Sequence, residues 1–379
     1  MTLIFVFITL LYLALIGSFV IGFDKVKLCS LDETKAETSF SIVIPFKNEA
    51  DNLNDLLESI AKLNYPESLF EVILVNDGSD DDSIKIIDDF LVKRPFNCAQ
   101  ADIVLIQNKR RTNSPKKDAI NTAISKAKYS WIVTTDADCV VPEYWLDSYD
   151  SFIQKDKSQF IVGPVSYHRT DNFLKRFQTI DFLSLIGATI GGFGIRKPFL
   201  ANGANLAYRK DLFNTLNGFK GNTNIASGDD IFLFEKAIKR YPGNVHYLKS
   251  KFAVIKTKPQ PDFTNLISQR VRWAAKTSSY NNLFGKTIGI LVLIMNASLI
   301  CYFILAVFGE FDFETLGYLF VIKFSIDFLL IYKTARFFDQ TDVLATYWIS
   351  SFLYPLYSVY VAILSLFKGY NWKGNYYRK

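Results

Sequence analysis

Residues Ser130–Leu146 read SWIVTTDADCVVPEYWL. Trp131, Ile132 and Val133 run together with two threonines behind them, the pattern of a strand buried on both faces. Where that strand should end, two carboxylates stand one residue apart, Asp136 and Asp138. Close carboxylates repel unless a cation sits with them. The flanking sequence decides whether this strand belongs to a sheet that offers one.

Working backwards, FSIVIPF (40–46), FEVILVND (70–77) and ADIVLIQN (101–108) are three more strands. Between them lie helices at 48–64, 80–93 and 114–127. The first keeps Leu53, Leu56, Leu57, Ile60 and Leu63 on one face. Strand–helix alternation with short connections predicts an α/β fold whose mostly parallel sheet is covered on both faces. Such sheets bind ligands at the C-terminal ends of their strands. Three of those ends carry polar groups: Pro45–Glu49, Asp77–Ser79 and Asp136–Asp138. A lone DxD, or a lone Asp-Gly-Ser, is most often a solvated turn, and Lys116–Lys117 alone would be surface. Their joint position at one sheet edge is what points to a crevice. Asp136 and Asp138 could present oxygens to Mg²⁺ or Mn²⁺, which share carboxylates with substrate phosphates. Asp77 could accept hydrogen bonds from a base or sugar, and Lys116 could neutralise phosphate.

The setting is a membrane. Residues 2–22 carry no charge and are long enough to span a bilayer. No Lys or Arg precedes them, which favours an uncleaved anchor over a signal peptide. Three apolar blocks, 287–309, 315–332 and 343–367, crowd the other end. The expected organisation is an anchor over 1–23, a soluble domain over 24–286, a membrane region over 287–367 and a basic tail over 368–379. The acidic loop GEFDFE (309–314) belongs outside; KTAR (333–336) and the tail prefer the cytoplasm. The soluble domain is then cytoplasmic, on an integral protein of the plasma or inner membrane. Pro355 suggests that 343–367 is a broken or re-entrant hairpin. Lys323 and Asp327, four apart in an apolar helix, either serve a function or neutralise each other. The stretch 172–190 and the glycine-rich 190–199 either lie along a bilayer or pack under a loop. With 4 Cys, 2 His and no CxxC, a zinc site or disulfide framework is not expected. A net charge of +6 from scattered basic residues fits a membrane-adjacent protein better than a nucleic-acid binder, which would show a concentrated basic stripe.

FSIVIPFKNEADNL, EVILVNDGSDDDS, KKDAIN and TTDAD resemble, in order and spacing, the nucleotide-binding half of family 2 glycosyltransferases with the GT-A fold. ANGANLAYRKDLFNTLNGF (201–219) is similar to that family's acceptor-side segment, and SGDDIFLFEKA (227–237) to its acidic motif. QRVRW (269–273) resembles the QxxRW motif of membrane-embedded members such as hyaluronan, cellulose and poly-N-acetylglucosamine synthases and ceramide glucosyltransferase. The resemblance runs over about 40–275 and implies the following roles. Pro45, Glu49 and Asp77 line the uridine and ribose pocket, Asp136 faces the diphosphate or ribose, and Asp138 ligates the metal with Asp136. Asp230 is the general base, supported by Asp229. Gln269, Arg272 and Trp273 close over the diphosphate and the acceptor end, with Lys116 on the phosphate side. The alternative for Trp273 is packing at the membrane surface.

The implied reaction is an inverting transfer from a nucleotide-sugar donor to a glycan or lipid acceptor, either processive or single. An export partner protein is expected if the product is a polymer. The contrasting expectation is a degenerate transferase acting as an interaction or export subunit. Three departures stand out: Asn76 replaces the first Asp of DDGS, Pro115 replaces the Gly before Lys116, and Asn375 replaces an expected tail Arg.

Overall fold

A computed structural model describes residues 2–31, 35–93, 102–168, 170–225, 227–277, 280–367, 369–372 and 375–377. In chain order α1 (Thr2–Lys25) is followed by β1 (Phe40–Phe46), α2 (Ala50–Ile60), β2 (Phe70–Asn76) and α3 (Ser83–Lys93). Next come β3 (Asp102–Gln107), α4 (Pro115–Lys126), β4 (Trp131–Thr134), β5 (Cys139–Val140) and α5 (Trp145–Lys155). Then follow β6 (Phe160–Val162), β7 (Val165–Tyr167), α6 (Phe173–Gly194), β8 (Leu206–Arg209) and α7 (Lys210–Thr215). The last segments are α8 (Asp229–Arg240), β9 (Val245–Tyr247), β10 (Ile255–Thr257), α9 (Phe263–Thr277), α10 (Leu283–Val307), α11 (Phe313–Phe337) and α12 (Tyr347–Phe367). A hairpin of β11 (Tyr370–Trp372) and β12 (Asn375–Tyr377) ends the described chain; Lys368, Lys373, Gly374, Arg378 and Lys379 of the basic tail lie outside it.

Internal packing divides the chain into two compact units that do not follow it linearly. One comprises Lys27–His168 and Ala201–Lys258; the other comprises Met1–Val26, Arg169–Leu200 and Pro259–Lys379.

The first unit is built on a seven-stranded sheet in the order β3-β2-β1-β4-β8-β6-β9. β1 pairs in parallel with both β2 and β4, and β2 with β3, whereas β8 runs antiparallel to β4 and β6. The expected α/β class with a mostly parallel sheet is therefore what the chain forms. β1 and β2 are almost wholly buried, which is why they read as continuous apolar runs. α2 buries Leu53, Leu56, Leu57 and Ile60 and stops there, so Leu63 falls beyond its end. The chain moves outward from β1 to β2 and β3, then returns to place β4 on the other side of β1. That reversal makes the β1/β4 edge a topological switch point, where open α/β sheets hold ligands. A three-stranded sheet, β5-β10-β7, begins directly after Asp138.

Among the described residues, the second unit contains four helices long and apolar enough to cross a membrane: Thr2–Lys25, Leu283–Val307, Phe313–Phe337 and Thr341–Phe367. Large apolar side chains such as Leu3, Val307, Trp348 and Phe367 are exposed on them, as helices facing lipid require. The hairpin expected at Pro355 is not formed: α12 runs unbroken from Tyr347 to Phe367 with Pro355 inside it. Neighbouring helices and local adjustment can accommodate a proline within such a helix.

α6 lies among these helices with most of its residues buried, including the stretch expected to lie along a bilayer or under a loop. The glycines explain its closeness to α1. A Cβ on Gly191 would stand 2.5 Å from the Phe19 carbonyl oxygen, and one on Gly194 1.8 Å from that of Gly22. Lys323 and Asp327 form an ion pair at 2.6 Å, and the Tyr12 hydroxyl donates to the other Asp327 oxygen at 2.7 Å.

Candidate active site

The loop after β1 and the loop after β2 interlock through short polar contacts. Asn48 N donates to Ser79 Oγ, Asp80 N to Asn48 Oδ1, and Ala50 N to Asp81 Oδ2, each at 3.0 Å. Asn48 holds φ at 52°, a conformation its short amide tolerates. Pro45 is half-buried near the end of β1. Glu49 is buried, accepts from Asn52 Nδ2 at 2.6 Å, and its backbone N–H donates to Ser83 Oγ.

Asn76 stands where the resembling family has Asp, and its partners explain the exchange. It is buried, donates from Nδ2 to Gln107 Oε1 at 3.0 Å and accepts from Ser79 N at 2.9 Å. A carboxylate could not supply the donor, and it would be buried beside another acceptor.

Asp77 leaves the end of β2 with its backbone N–H on the Phe46 carbonyl. Its carboxylate accepts from Asn108 Nδ2 at 2.6 Å and, in a two-toothed pair, from Arg110 Nε and Nη2 at 2.7 and 2.8 Å. Arg110 is half-exposed, so its fork reaches Asp77 from the solvent side. Neither Asn108 nor Arg110 was expected; the polar run NKRR closing β3 was the available signal.

Asp136 and Asp138 occupy the short loop between β4 and β5, both half-exposed. Lys116, in the first turn of α4, reaches across with its ammonium 2.6 Å from Asp136 Oδ1 and 3.1 Å from Asp229 Oδ2. Burial alone would lower the Lys116 pKa, but Asp136 and then Asp229 outweigh it and raise it. The lysine thus joins the β4 loop to the acidic motif, and Pro115, at the helix start, costs no hydrogen bond there. Cys139 donates its thiol to Asp138 Oδ1 at 3.6 Å, and burial pushes that thiol's pKa up, which keeps it protonated.

Asp229 and Asp230 open α8, where acids complement the helix dipole. Asp230 Oδ2 accepts from Gly203 N at 3.2 Å, and Oδ1 from Ile231 N at 2.7 Å. Gly203 is a site residue that sequence reading passed over. A Cβ there would meet Asp229 Oδ2 at 3.1 Å, Asp230 Cβ at 3.4 Å and Lys116 Nζ at 3.6 Å. Lys117, expected at the surface, is instead fully buried. It donates to the Asn222 and Ile225 carbonyls at 2.7 and 2.8 Å, fixing the loop that leads into the acidic motif.

Gln269, Arg272 and Trp273 lie on α9, in the unit that holds the membrane helices. Trp273 packs against the Arg270 guanidinium, 4.2 Å from its ring centroid, and near the Phe182 ring at 6.4 Å.

Among the described residues, no group of three or more His, Cys, Asp or Glu is gathered as a metal site. Asp136 and Asp138 nevertheless fit Mg²⁺ or Mn²⁺ chemistry, in which one or two carboxylates share the ion with substrate phosphates and water.

Residues 41–216 match the profile described as glycosyl transferase family 2, and residues 131–366 that of glycosyl transferase family group 2. The second match covers more than half of the chain, and the protein belongs to this family of glycosyl transferases. It is 30% identical over 151 residues to a poly-β-1,6-N-acetyl-D-glucosamine synthase of Staphylococcus epidermidis, covering 39% of this chain and 33% of that protein. The synthase of the same name from Staphylococcus aureus strain MSSA476 is 28% identical over 144 residues, covering 37% of this chain and 32% of the relative. The chain thus spans about a third of the length of these curated relatives. A solved mannosyltransferase from Pyrobaculum calidifontis, in complex with GDP-Man and Mn²⁺, superposes with a TM-score of 0.55 at 16% identity, over 96% of both chains. That likeness establishes a shared fold.

Proposed function

We propose that this chain is a membrane-bound inverting glycosyltransferase that moves a sugar from a nucleotide-sugar to a glycan or lipid-linked acceptor. The observation that carries the reading is the meeting of Asp136, Lys116, Asp229 and Asp230, with Gly203 leaving room between them. These groups come from three separate stretches of chain, and solvated turns would have no reason to converge.

Each group has a task in a single displacement. Pro45, Glu49 and Asp77 hold the nucleoside, with Asn108 and Arg110 orienting the Asp77 carboxylate. Asp230 takes the proton from an acceptor hydroxyl as that oxygen attacks the anomeric carbon. Gly203 N–H and the start of α8 hold the base in place. Lys116, tied to Asp136 and Asp229, supplies a fixed positive charge on the phosphate side, and Arg272 offers a guanidinium fork to phosphate oxygens. Asp136 and Asp138 would hold Mg²⁺ or Mn²⁺, which supplies charge to the departing diphosphate when bound. Gln269 and Trp273 take the roles that the QxxRW motif implies, on diphosphate and acceptor.

The curated relatives are named for making poly-β-1,6-N-acetyl-D-glucosamine, which supports a UDP-sugar donor and a surface polysaccharide or glycolipid product. The acidic loop 309–314 and the basic stretch 333–336 support a cytoplasmic catalytic unit, whereas the basic tail, following the unbroken α12, does not add to that support. Among the described residues four helices are candidate spans, few for a self-contained export channel. That favours either single transfer to a lipid acceptor or a partner protein that exports the polymer.

The test is to offer the detergent-solubilised full chain a panel of UDP- and GDP-sugars with Mn²⁺ and a membrane lipid extract, and to size the labelled product. One donor giving a β-linked product supports the reading, and product length separates polymer from single transfer. Glycan output in cells that survives Asp230→Asn would instead support the export-subunit alternative.

A further inference from the structure

α6 carries two buried polar residues one turn apart, Gln178 and Asp181, and therefore on one face. Both are bonded to the segment that bears QRVRW. Gln178 Nε2 donates to the Gln260 carbonyl at 3.0 Å, and Gln260 N donates back to Gln178 Oε1 at 2.8 Å. Asp181 Oδ2 accepts from Arg270 Nε at 2.8 Å, with both side chains about 5% exposed. Arg270 is a variable position of QxxRW, yet it touches two of the motif's three fixed members. Its guanidinium carbon stands 4.2 Å from the Trp273 ring centroid, and its Nη1 donates to Gln269 Oε1.

We propose that Asp181 is a positioning residue for transfer: through Arg270 it fixes the Gln269 amide and the Trp273 indole, while Gln178 sets the register of α9 on α6. This rests on the reading that Gln269, Arg272 and Trp273 act on donor and acceptor. A buried ion pair is weak evidence for stability, because apolar residues of similar volume often serve as well. Geometry is what this pair supplies. A planar guanidinium can meet a carboxylate, an amide oxygen and a ring face at once, which a lysine ammonium cannot. The Gln178 clasp is independent of charge and holds the same segment.

The experiment uses the full chain in detergent and compares kcat/KM for Asp181→Asn, Arg270→Lys, Trp273→Ala and the double variant Asp181→Asn/Trp273→Ala. A misplacement approaching 1 Å corresponds to a loss on the order of 100-fold. Asp181→Asn is expected to lose about that much and Arg270→Lys about 10-fold, since it keeps charge but not the fork. The double variant is expected to be no worse than the poorer single one, because both act through one group. Leu183→Ala, buried on the same helix, serves as the stability control: it should lower the melting temperature and leave kcat/KM unchanged.

Wild-type kcat/KM in Asp181→Asn would overturn the proposal. So would losses that simply multiply in the double variant, as a structural defect would give. Should Asp181→Asn fail to fold, Arg270→Lys carries the same cycle with Trp273→Ala. Full activity in Arg272→Ala would instead refute the functional reading of the motif, which separates the two failures.

Discussion

Adding one methyl group at Gly203 tests the site where it is tightest. The new Cβ would stand 3.1 Å from Asp229 Oδ2 and 3.4 Å from Asp230 Cβ, so the acidic motif must yield by a few tenths of an ångström. Asp229 is tied to Lys116 and Asp230 to the Gly203 N–H, so the displacement passes to Asp230 and to Lys116 together. Gly203 has no left-handed backbone, so alanine brings no conformational strain. Replacing glycine at a compatible position even stabilises by about 0.4–1 kcal/mol, through the unfolded chain. If 1 Å of misplacement costs on the order of 100-fold, a few tenths cost about 3- to 10-fold in kcat. Gly203→Ala should therefore melt within about 1 kcal/mol of wild type and turn over several-fold more slowly, with Gly203→Val much worse. UDP release and thermal unfolding of the purified chain measure both. Wild-type turnover in Gly203→Ala would refute the reasoning, and so would a loss of activity matched by a loss of fold.

Arg110→Ala removes a half-exposed ion pair and should change stability by less than about 1 kcal/mol. By freeing the Asp77 carboxylate it should weaken nucleotide binding roughly 10-fold in titration calorimetry. Lys117→Met keeps a long apolar side chain but removes the ammonium over the Phe232 ring and strips two carbonyls of their charged donor. A loss of about 1–3 kcal/mol is expected in thermal unfolding, with faster proteolysis near 222–225. Burial pushes the Asp147 carboxyl up to about 6, above its ordinary value, so ionising it opposes folding as pH rises from about 4 to 6. Asp147 is half-exposed, which reduces the full linkage of about 3 kcal/mol to nearer 1. Asp147→Asn should gain about that much at pH 7 and nothing at pH 3, read from melting against pH. Chelation by EDTA should abolish transfer, and Asp138→Asn should raise the Mn²⁺ needed for half-maximal rate about 10-fold.

The strands and helices of the α/β unit were legible because each repeats a local signal. β1 and β2 are mostly apolar, and α2 keeps one apolar face. The placing of the βα loops at one sheet edge was legible too, because parallel topology sends every one of them there. What the chain could not show locally is long-range. Lys116 and Lys117 are identical neighbours in sequence, yet one bridges two carboxylates and the other is buried under a distant loop. Which lysine faces which way depends on helix phase and on residues a hundred positions away. Gly203 matters only because Asp229 and Asp230 approach it, and no pattern around it says so. The division of the chain is similar: α6 and α9 read as parts of a continuous domain, but their buried faces pack with the membrane helices. Pro355 misled because a mid-segment proline was read as a break in a membrane helix, where neighbouring helices tolerate it.

The central claim is that Asp230 is the base of a sugar transfer. The measurement that tests it most directly compares wild type and Asp230→Asn, both as full chains in detergent with Mn²⁺, for turnover and for UDP affinity in parallel. Loss of a general base predicts a kcat about 10²- to 10⁴-fold lower with UDP binding within a factor of a few. Turnover within a few-fold of wild type in Asp230→Asn would contradict the account.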